Sequence, residues 1–461
     1  MVLLCSVEVL ERHVSGDAFW DLATGRWELL HHAVLRRNLF SWHERGVPWV
    51  NNEWLWGVIL DGAWRQFGPR GLLAVPLVGV LAFVMGLAVW YRLMRLRGWV
   101  WIGAMLFGTL ASFAFWNFRP QVWAYGLAVW SLAGLEYLRQ RSPDQGRRTL
   151  TWLLPSLVVG FLFWLQIHGS WELLVLWAGL YAALAGRYRW TFAALAGALL
   201  VLALWANPWG PDYVWKAVFS SSSGAIANTI PEWHSPNFHR VFEALIVVPY
   251  LFLGRWRGRR QSQWLSWVMW AGFGLAALYA VRFFPYLALG TGYAWADWEG
   301  KPLRPLSWRV MEVGFAALAV IAFDQSVIAA RTVARGNLVT GPLVSTGLEP
   351  VAVVQYMLKH GDTQRVLNAY RYGGYLTWVG IPDWIDGRAG FWLQTGDTFQ
   401  AYQQARSGAV SPLGYVNRIH PEWIVAQVQN PLAWAVAGRD GWYVVMCHGG
   451  AELLGHRPAP Q

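Results

Sequence analysis

Leu72–Arg97 reads LLAVPLVGVLAFVMGLAVWYRLMRLR. Its uncharged part, Leu72–Tyr91, is long enough to cross the hydrocarbon core of a bilayer, which takes about 20 apolar residues in a helix. Arginines follow at once, at positions 92, 95 and 97. An apolar run of this length with arginines at one end is typical of a transmembrane helix whose basic end lies in the cytoplasm.

Further apolar runs follow along the chain, and together they predict an α-helical polytopic membrane protein with about ten transmembrane helices. The seventh and ninth runs are short. The candidate spans are Leu72–Tyr91, Trp99–Phe115, Val122–Leu138, Leu150–Ile167, Trp171–Ala185, Trp190–Ala206, Val241–Leu253, Trp264–Ala280, Phe283–Trp295 and Val310–Phe323.

Basic side chains crowd every second connection between these spans. The connections after the odd-numbered spans contain Arg92, Arg95, Arg97, Arg139, Arg141, Arg147, Arg148, Arg187, Arg189, Arg255, Arg257, Arg259, Arg260, Lys301, Arg304 and Arg309. The other connections contain only Arg119, Lys216, Arg240 and Arg282. The positive-inside rule assigns the basic connections to the cytoplasm and both termini to the outer side of the membrane.

The composition agrees with a membrane location. The chain is 56% hydrophobic and only 14% charged, which leaves too few polar side chains to cover a soluble enzyme of 461 residues. The formal net charge of +11 follows from the basic cytoplasmic connections, so it does not indicate a nucleic-acid partner. Two cysteines, Cys5 and Cys447, exclude a disulfide framework.

Three domains are predicted. Residues 1–70 form an extracytoplasmic loop with an interfacial helix at Trp54–Phe67, and we expect a transmembrane helix to precede this loop. Residues 71–326 form the helical bundle, with an extracytoplasmic loop at 207–240. Residues 327–461 form a small extracytoplasmic α/β domain, because short strands and helices alternate there. The tail is expected to contain helices at 349–360, 398–406 and 431–437, and strands at 365–369, 384–385 and 423–427.

This topology collects the scarce acidic and histidine side chains on the outer face. Asp17 and Asp21 stand four residues apart and share a helix face, so they are candidates for a catalytic base and for a divalent metal site holding Mg²⁺ or Mn²⁺. The alternative is a helix cap at Asp17 and a solvated Asp21. In the same loop, Glu53 is a further catalytic candidate and His43 a substrate-binding candidate.

Other candidates lie in the outer connections of the bundle. Arg119 and Arg282 lie at headgroup level, where a guanidinium can bind a phosphate in bidentate fashion; the alternative for Arg119 is a lipid contact. His168 is a candidate proton shuttle, and Glu232 a partner for a sugar hydroxyl or a metal. The alternatives are a hydrogen-bonded interfacial histidine and an exposed loop carboxylate. The remaining substrate-binding candidates are Asn207 and His234.

Several motifs occur in an order that resembles a known group. They are Phe19–Trp27 (FWDLATGRW), Pro48–Leu55 (PWVNNEWL), Arg119-Pro-Gln121, His168-Gly169, Asn207-Pro208, Glu232-Trp233, Val366–Leu376 (VLNAYRYGGYL) and Ile385–Arg388 (IDGR). They resemble bacterial multi-pass membrane glycosyltransferases of the GT-C type, the dolichyl-phosphate-mannose-mannosyltransferase-like proteins. That group begins with a complete span and an Asp-x-Asp pair, whereas Ser15 stands at the first Asp here.

The resemblance implies an enzyme that transfers a sugar from a polyprenyl-phosphate donor to a glycan, lipid or protein acceptor at the outer face of the membrane. Asp17 would then be the base, and Arg119 and Arg282 would bind the donor phosphate. Two alternatives stay open. The chain is a degenerate relative without activity, since the first Asp is missing, or it is a transporter or scaffold component of cell-envelope polysaccharide assembly.

Overall fold

The computed structural model describes residues 16–220, 230–253, 263–296, 349–361, 363–392 and 395–456. The described residues form two compact units. The helical unit contains the described residues from 73 to 218, 230 to 253 and 263 to 296. The mixed unit contains residues 16–72 together with the described residues from 349 to 456.

The helical unit consists of helices that follow the apolar runs of the sequence. They are α3 Pro69–Leu93, whose first residues belong to the mixed unit, α4 Gly98–Phe113, α5 Gln121–Arg139, α6 Pro143–Ile167, α7 Glu172–Leu184, α8 Arg189–Trp205, α9 Pro211–Ser220, α10 Val241–Leu253, α11 Gln263–Tyr279 and α12 Phe284–Trp295. The first nine candidate spans therefore coincide with helices, and Val310–Phe323 lies outside the described residues.

Two of these helices are long and apolar enough to cross a membrane within the part of the chain that the structure describes. They are α3 and α6, each of 25 residues. Five shorter apolar helices accompany them. The beginning of α6 shows why the helix starts there: Pro143 occupies the first turn, where a missing N–H costs nothing, and Asp144 interacts favourably with the positive end of the helix dipole.

The connections of the helical unit meet at two ends. At one end, Gln140 Nε2 donates to the Leu93 carbonyl over 3.4 Å, and Arg187 donates to the Arg141 carbonyl over 2.9 Å. At the other end, Gln166 Nε2 donates to the Ala206 carbonyl over 2.7 Å. The basic connections after the first, third and fifth candidate spans thus lie together, as the alternation of charge predicts, and those at 255–260 and 301–309 lie outside the described residues.

A buried ionic network ties helices together near the basic end. Glu136 of α5 is fully buried and accepts hydrogen bonds from Arg139 Nε at 2.8 Å and from Tyr181 of α7 at 2.8 Å. The Tyr181 hydroxyl also lies 2.7 Å from the Tyr293 hydroxyl of α12. One carboxylate therefore links three helices that are far apart in sequence.

The mixed unit combines two N-terminal helices with the C-terminal sheet and its helices. Its elements are α1 Gly16–His31, α2 Trp54–Phe67, α13 Val351–His360, β1 Val366–Asn368, α14 Gly373–Val379, α15 Ala389–Trp392, α16 Thr398–Ser407, α17 Pro412–Ile419, β2 Trp423–Gln427, α18 Pro431–Val436, β3 Trp442–His448 and β4 Ala451–His456.

The sheet has the strand order β1-β2-β4-β3. Strands β1 and β2 are parallel, with Leu367 opposite Ile424. The other pairs are antiparallel, with Val425 opposite Leu453 in β2 and β4. The parallel pair requires a crossover, which helices between residues 373 and 419 supply.

All but one of the expected elements of the tail are confirmed, and the structure adds helices α14, α15 and α17, which were not predicted. Residues 384–385 are not a strand, because the Asn368 side chain takes their backbone groups: its Oδ1 accepts from Trp384 N at 2.8 Å, and its Nδ2 donates to the Ile385 carbonyl at 2.6 Å. The hairpin of β3 and β4 was not predicted. Its outer strand, β3, is largely exposed and has a register shift near residue 445.

Residues from both ends of the chain share the core of the mixed unit. Trp20 and Trp49 pack in one hydrophobic cluster with Leu367, Ile424 and Leu454. The backbone is joined as well, since Trp42 Nε1 donates to the Val366 carbonyl over 3.0 Å. The N-terminal segment is therefore an integral part of the C-terminal domain's core.

The Glu136 network gives a test of the helical unit. Glu136→Gln removes the charge that balances Arg139, and we expect a loss of about 3 kcal/mol in the free energy of unfolding, at the low end for a broken buried ion pair. Arg139 keeps 21% of its side chain exposed, which limits the loss. Denaturation in detergent micelles, followed by tryptophan fluorescence, measures it. The exposed Asp144→Asn is the matched control, and equal stability of the two variants would contradict the assignment.

Candidate functional site

Helices α1 and α2 cross in direct backbone contact, and this crossing encloses Asp21. A Cβ on Gly25 would overlap the Gly57 carbonyl, and one on Gly57 would lie 2.6 Å from the Asp21 carbonyl. Glycine at both positions therefore permits the close approach. Asp21 is 1% exposed as a result. The crossing leaves its side chain little access to a substrate.

Asp17 lies in the first turn of α1, where its carboxylate complements the helix dipole. It is half-buried. Its Oδ1 lies against the backbone of Gly387, and its charge acts on Glu349. Of the two aspartates named from the sequence, Asp17 is thus the one that keeps partial access to solvent.

Glu349 is a buried carboxyl near Asp17 that the sequence did not single out. It is 4% exposed. Its pKa is raised to about 8, chiefly by burial; the Arg371 guanidinium lowers the pKa, and the Asp17 charge raises it. Glu28 of α1 behaves similarly: burial raises its pKa to about 8, although its Oε1 accepts a hydrogen bond from Leu35 N at 3.1 Å.

His43 packs between two indole rings. Its ring lies 3.7 Å from that of Trp384 and 5.5 Å from that of Trp392, stacked on both. Burial lowers the pKa of the imidazole to about 4, so the ring is neutral at physiological pH. We therefore find His43 among the aromatic side chains of the mixed unit rather than at an open surface.

A buried ion pair lies beside this core. The Arg388 Nε donates to Asp386 Oδ2 over 2.7 Å, and Trp392 Nε1 donates to Asp386 Oδ1 over 2.9 Å. The guanidinium also lies 4.7 Å from the centre of the Trp49 ring. Burial alone would raise the pKa of Asp386, but the Arg388 charge and hydrogen bonds hold it below its usual range.

Asp383 completes this charged group. It is fully buried, and burial together with the negative charge of Asp386 raises its pKa well above the usual range. Sequence reasoning missed Asp383 and Asp386 as buried groups. The sequence did contain a signal: three charged residues, Asp383, Asp386 and Arg388, occur close together in an aromatic-rich stretch. Charges that are buried in such surroundings must be paired or neutralised.

The helical unit contains a second polar site, which we name the arginine cluster: Arg119, Glu232, Trp233 and Arg282. Arg119 and Glu232 form an ion pair with an N–O distance of 2.6 Å, and their side chains are 25% and 37% exposed. The Arg282 guanidinium lies 4.1 Å from the centre of the Trp233 ring. Within this cluster two cations accompany one anion, and the charge of Arg282 also acts on Glu172, the first residue of α7.

The positions of these residues follow from the chain turns that hold them. Arg119 lies just before α5, and its backbone N–H donates to Asn117 Oδ1 over 3.1 Å. Glu232 lies in the 3-10 turn Pro231–Trp233. That turn is tied to the turn of Arg282, because Val281 N donates to the His234 carbonyl over 3.0 Å.

His168 belongs to the same end of the helical unit. Its Nδ1 accepts from Ser170 N at 3.1 Å, which places the proton of the neutral ring on Nε2. Burial lowers the pKa of His168 to about 3, and the positive charge of Arg282 contributes in the same direction. The histidine is therefore neutral, and it is electrostatically coupled to the arginine cluster.

The other candidates have structural roles of their own. Asn207 closes a turn: its Nδ2 donates to the Ala203 carbonyl over 2.7 Å, and its Oδ1 accepts from Trp209 N at 2.8 Å. Glu53 lies at the N-terminal boundary of α2. His234 is exposed and ends the Pro231–Trp233 turn.

The donor set does not fit a divalent metal site. In the part of the chain described by the structure, no group of three or more His, Cys, Asp or Glu side chains is placed to hold a metal ion. Asp21, one of the two expected ligands, is enclosed at the helix crossing. Mg²⁺ and Mn²⁺ prefer several oxygen ligands, so the chemistry proposed below uses the chain's own side chains alone.

No protein-family model matches the chain, and no curated protein matches it significantly. Solved structures do. ArnT from Cupriavidus metallidurans, bound to undecaprenyl phosphate, matches with a TM-score of 0.54 and 13% identity over 100% of this chain and 97% of that chain. The Archaeoglobus fulgidus oligosaccharyltransferase in its apo form matches with a TM-score of 0.62 and 10% identity, over 99% of this chain and 74% of that one.

The fold is of the GT-C type. A third structure with this fold, AglB of A. fulgidus in complex with an inhibitory peptide and a dolichol-phosphate, matches with a TM-score of 0.59 and 9% identity over 99% of this chain and 73% of that one. The resemblance found in the sequence is thus confirmed at the level of the fold. Together with the two long apolar helices, the fold supports a membrane location.

The raised pKa values of Glu28 and Glu349 give a prediction for stability. Between about pH 4.5 and about pH 8 the folded chain binds more protons at these carboxyls than the unfolded chain does, so the free energy of unfolding falls as the pH rises. Glutamine at either position keeps the shape and removes the titration. Denaturation across this pH range should therefore show a shallower decline for Glu28→Gln and for Glu349→Gln, and an unchanged slope in both would contradict the burial described.

Proposed function

We propose that this protein is an integral-membrane glycosyltransferase that moves a sugar from a polyprenyl-phosphate donor to an acceptor at the outer face of the bacterial cytoplasmic membrane. The observation that carries the proposal is the arginine cluster in a chain with the GT-C fold. ArnT and AglB, which have that fold, are solved with undecaprenyl phosphate and dolichol-phosphate respectively. A hydroxyl group of a glycan, lipid or protein is the acceptor.

The arginine cluster suits a phosphate at the membrane surface. Guanidinium groups bind phosphate oxygens through charge-assisted, often bidentate hydrogen bonds. In our proposal Arg119 and Arg282 bind the donor phosphate and stabilise its negative charge as the sugar leaves. Glu232 neutralises Arg119 while no phosphate is bound, and the phosphate displaces that carboxylate.

Asp17 is the proposed base. The acceptor oxygen attacks the anomeric carbon of the sugar, the bond from that carbon to the phosphate oxygen breaks, and Asp17 accepts the acceptor's proton. The polyprenyl phosphate leaves with the electron pair. The partial exposure of Asp17 supports this role, whereas Asp21 is enclosed.

The role of Asp17 can be tested with purified protein in micelles and a panel of polyprenyl-phosphate sugars. Asp17→Asn removes the base, and we expect sugar transfer to fall about 10²- to 10⁴-fold with unchanged expression and melting temperature. Asp397→Asn, an exposed carboxylate of the same unit, is the control. Full activity of Asp17→Asn would exclude this assignment and favour a scaffold or transporter; an inactive wild type would favour a degenerate relative.

The arginine cluster is tested by binding alone. Arg119→Ala and Arg282→Ala should each weaken binding of undecaprenyl phosphate about 10- to 100-fold, as expected for about 1.5–3 kcal/mol per charge-assisted hydrogen bond. Glu232→Gln should strengthen binding, because the phosphate no longer competes with a carboxylate. Arg240→Ala is the matched control, since Arg240 is 73% exposed and pairs with Glu243. If Arg240→Ala weakened binding equally, the loss of binding would come from the lower positive charge of the protein in general, and the assignment of the phosphate site to the arginine cluster would be wrong.

A further inference from the structure

Two glycine-containing motifs of the tail approach the start of α1. They are Tyr370–Leu376 (YRYGGYL) and Ile385–Arg388 (IDGR). A Cβ built on Gly374 would overlap the Gly16 carbonyl, and a Cβ on Gly16 would lie 2.7 Å from the Arg371 carbonyl. The first helical residue of α1 therefore rests directly on the backbone of the first motif.

The second motif supports the Asp17 side chain itself. A Cβ built on Gly387 would overlap Asp17 Oδ1 and would lie 3.2 Å from Trp20 Nε1. Non-bonded atoms do not approach a side-chain carbon this closely, so glycine alone leaves room for the carboxylate here. The Asp17 carboxylate is in contact with the backbone of Gly387.

Gly387 is itself held firmly. It lies between Asp386 and Arg388, whose buried ion pair is surrounded by aromatic rings. Its carbonyl accepts hydrogen bonds from Ala389 N at 2.8 Å and from the Tyr370 hydroxyl at 3.3 Å. A backbone segment fixed on both sides is a rigid surface for the carboxylate that rests on it.

We propose that Gly387 is a positioning residue for Asp17: the buried Asp386–Arg388 pair fixes the Gly387 backbone, and this backbone sets the orientation of the Asp17 carboxylate. The proposal rests on the proposed function only for its catalytic consequence. It also explains why the two tail motifs contain glycine where they contact α1, although no step of the sugar transfer uses these motifs directly. The reaction rate falls steeply when the base is displaced, since a misplacement of about 1 Å can lower the rate about 10²-fold.

Gly387→Ala tests the positioning, with Gly390→Ala as the matched control. Gly390 lies three residues further on, in α15, and a Cβ there meets no atom within 4 Å. We expect kcat of Gly387→Ala to fall about 10- to 100-fold, with KM for the donor unchanged and the acid limb of the pH–rate profile displaced. Gly390→Ala should match the wild type. Unchanged kcat and pH profile in Gly387→Ala would overturn the proposal.

A second measurement keeps the contact testable without activity. In a chain whose Cys5 and Cys447 are replaced by serine, Asp17→Cys combined with Gly387→Cys should form a disulfide on mild oxidation, because the two side-chain positions lie within bonding reach. Asp17→Cys with Gly390→Cys should not. Failure of the first pair overturns the positioning proposal, whereas a formed disulfide together with a wild-type protein that transfers no sugar overturns only the proposed function.

Discussion

An ionised group enclosed by apolar side chains must have a partner, and this requirement shapes both units of the protein. Charged residues make up only 14% of the chain, so each buried one is conspicuous. In the helical unit, Glu136 draws Arg139 and two tyrosines into one network. In the mixed unit, the Asp386–Arg388 pair is surrounded by aromatic rings. The desolvation cost of each charge is offset only by contacts that fix several elements at once.

The helical unit was largely predictable from the sequence. Apolar runs and the alternation of arginines are properties of whole segments. A single atypical residue therefore does not change the prediction of a span or of its orientation. The bounds of α10 agree with the candidate span Val241–Leu253. The grouping of Arg119, Glu232 and Arg282 is a consequence of the same alternation, because it places their connections at one end. The ion pair itself and the stacking on Trp233 depend on side-chain geometry and could not be predicted.

The mixed unit was less predictable, because its contacts join residues that are distant in sequence. Nothing local to Asp21 shows that Gly25 and Gly57 bring two helices into backbone contact over it. Residues 384–385 have the apolar character of a strand, yet the Asn368 side chain takes their hydrogen bonds. The sequence suggested His43 as a substrate-binding residue, whereas in the fold its ring stacks on the indole rings of Trp384 and Trp392. In each case a tertiary contact overrides the local pattern.

The shared core of the mixed unit also bears on how the protein is made. Trp20 and Trp49 belong to one hydrophobic cluster with Leu367, Ile424 and Leu454, so the segment that contains the two tryptophans leaves the ribosome long before its packing partners do. At about 5–20 residues per second, a separation of roughly 400 residues corresponds to a wait of about 20 to 80 seconds. During synthesis the tryptophan-rich N-terminal segment therefore stays without these packing partners while the helices between are still being made.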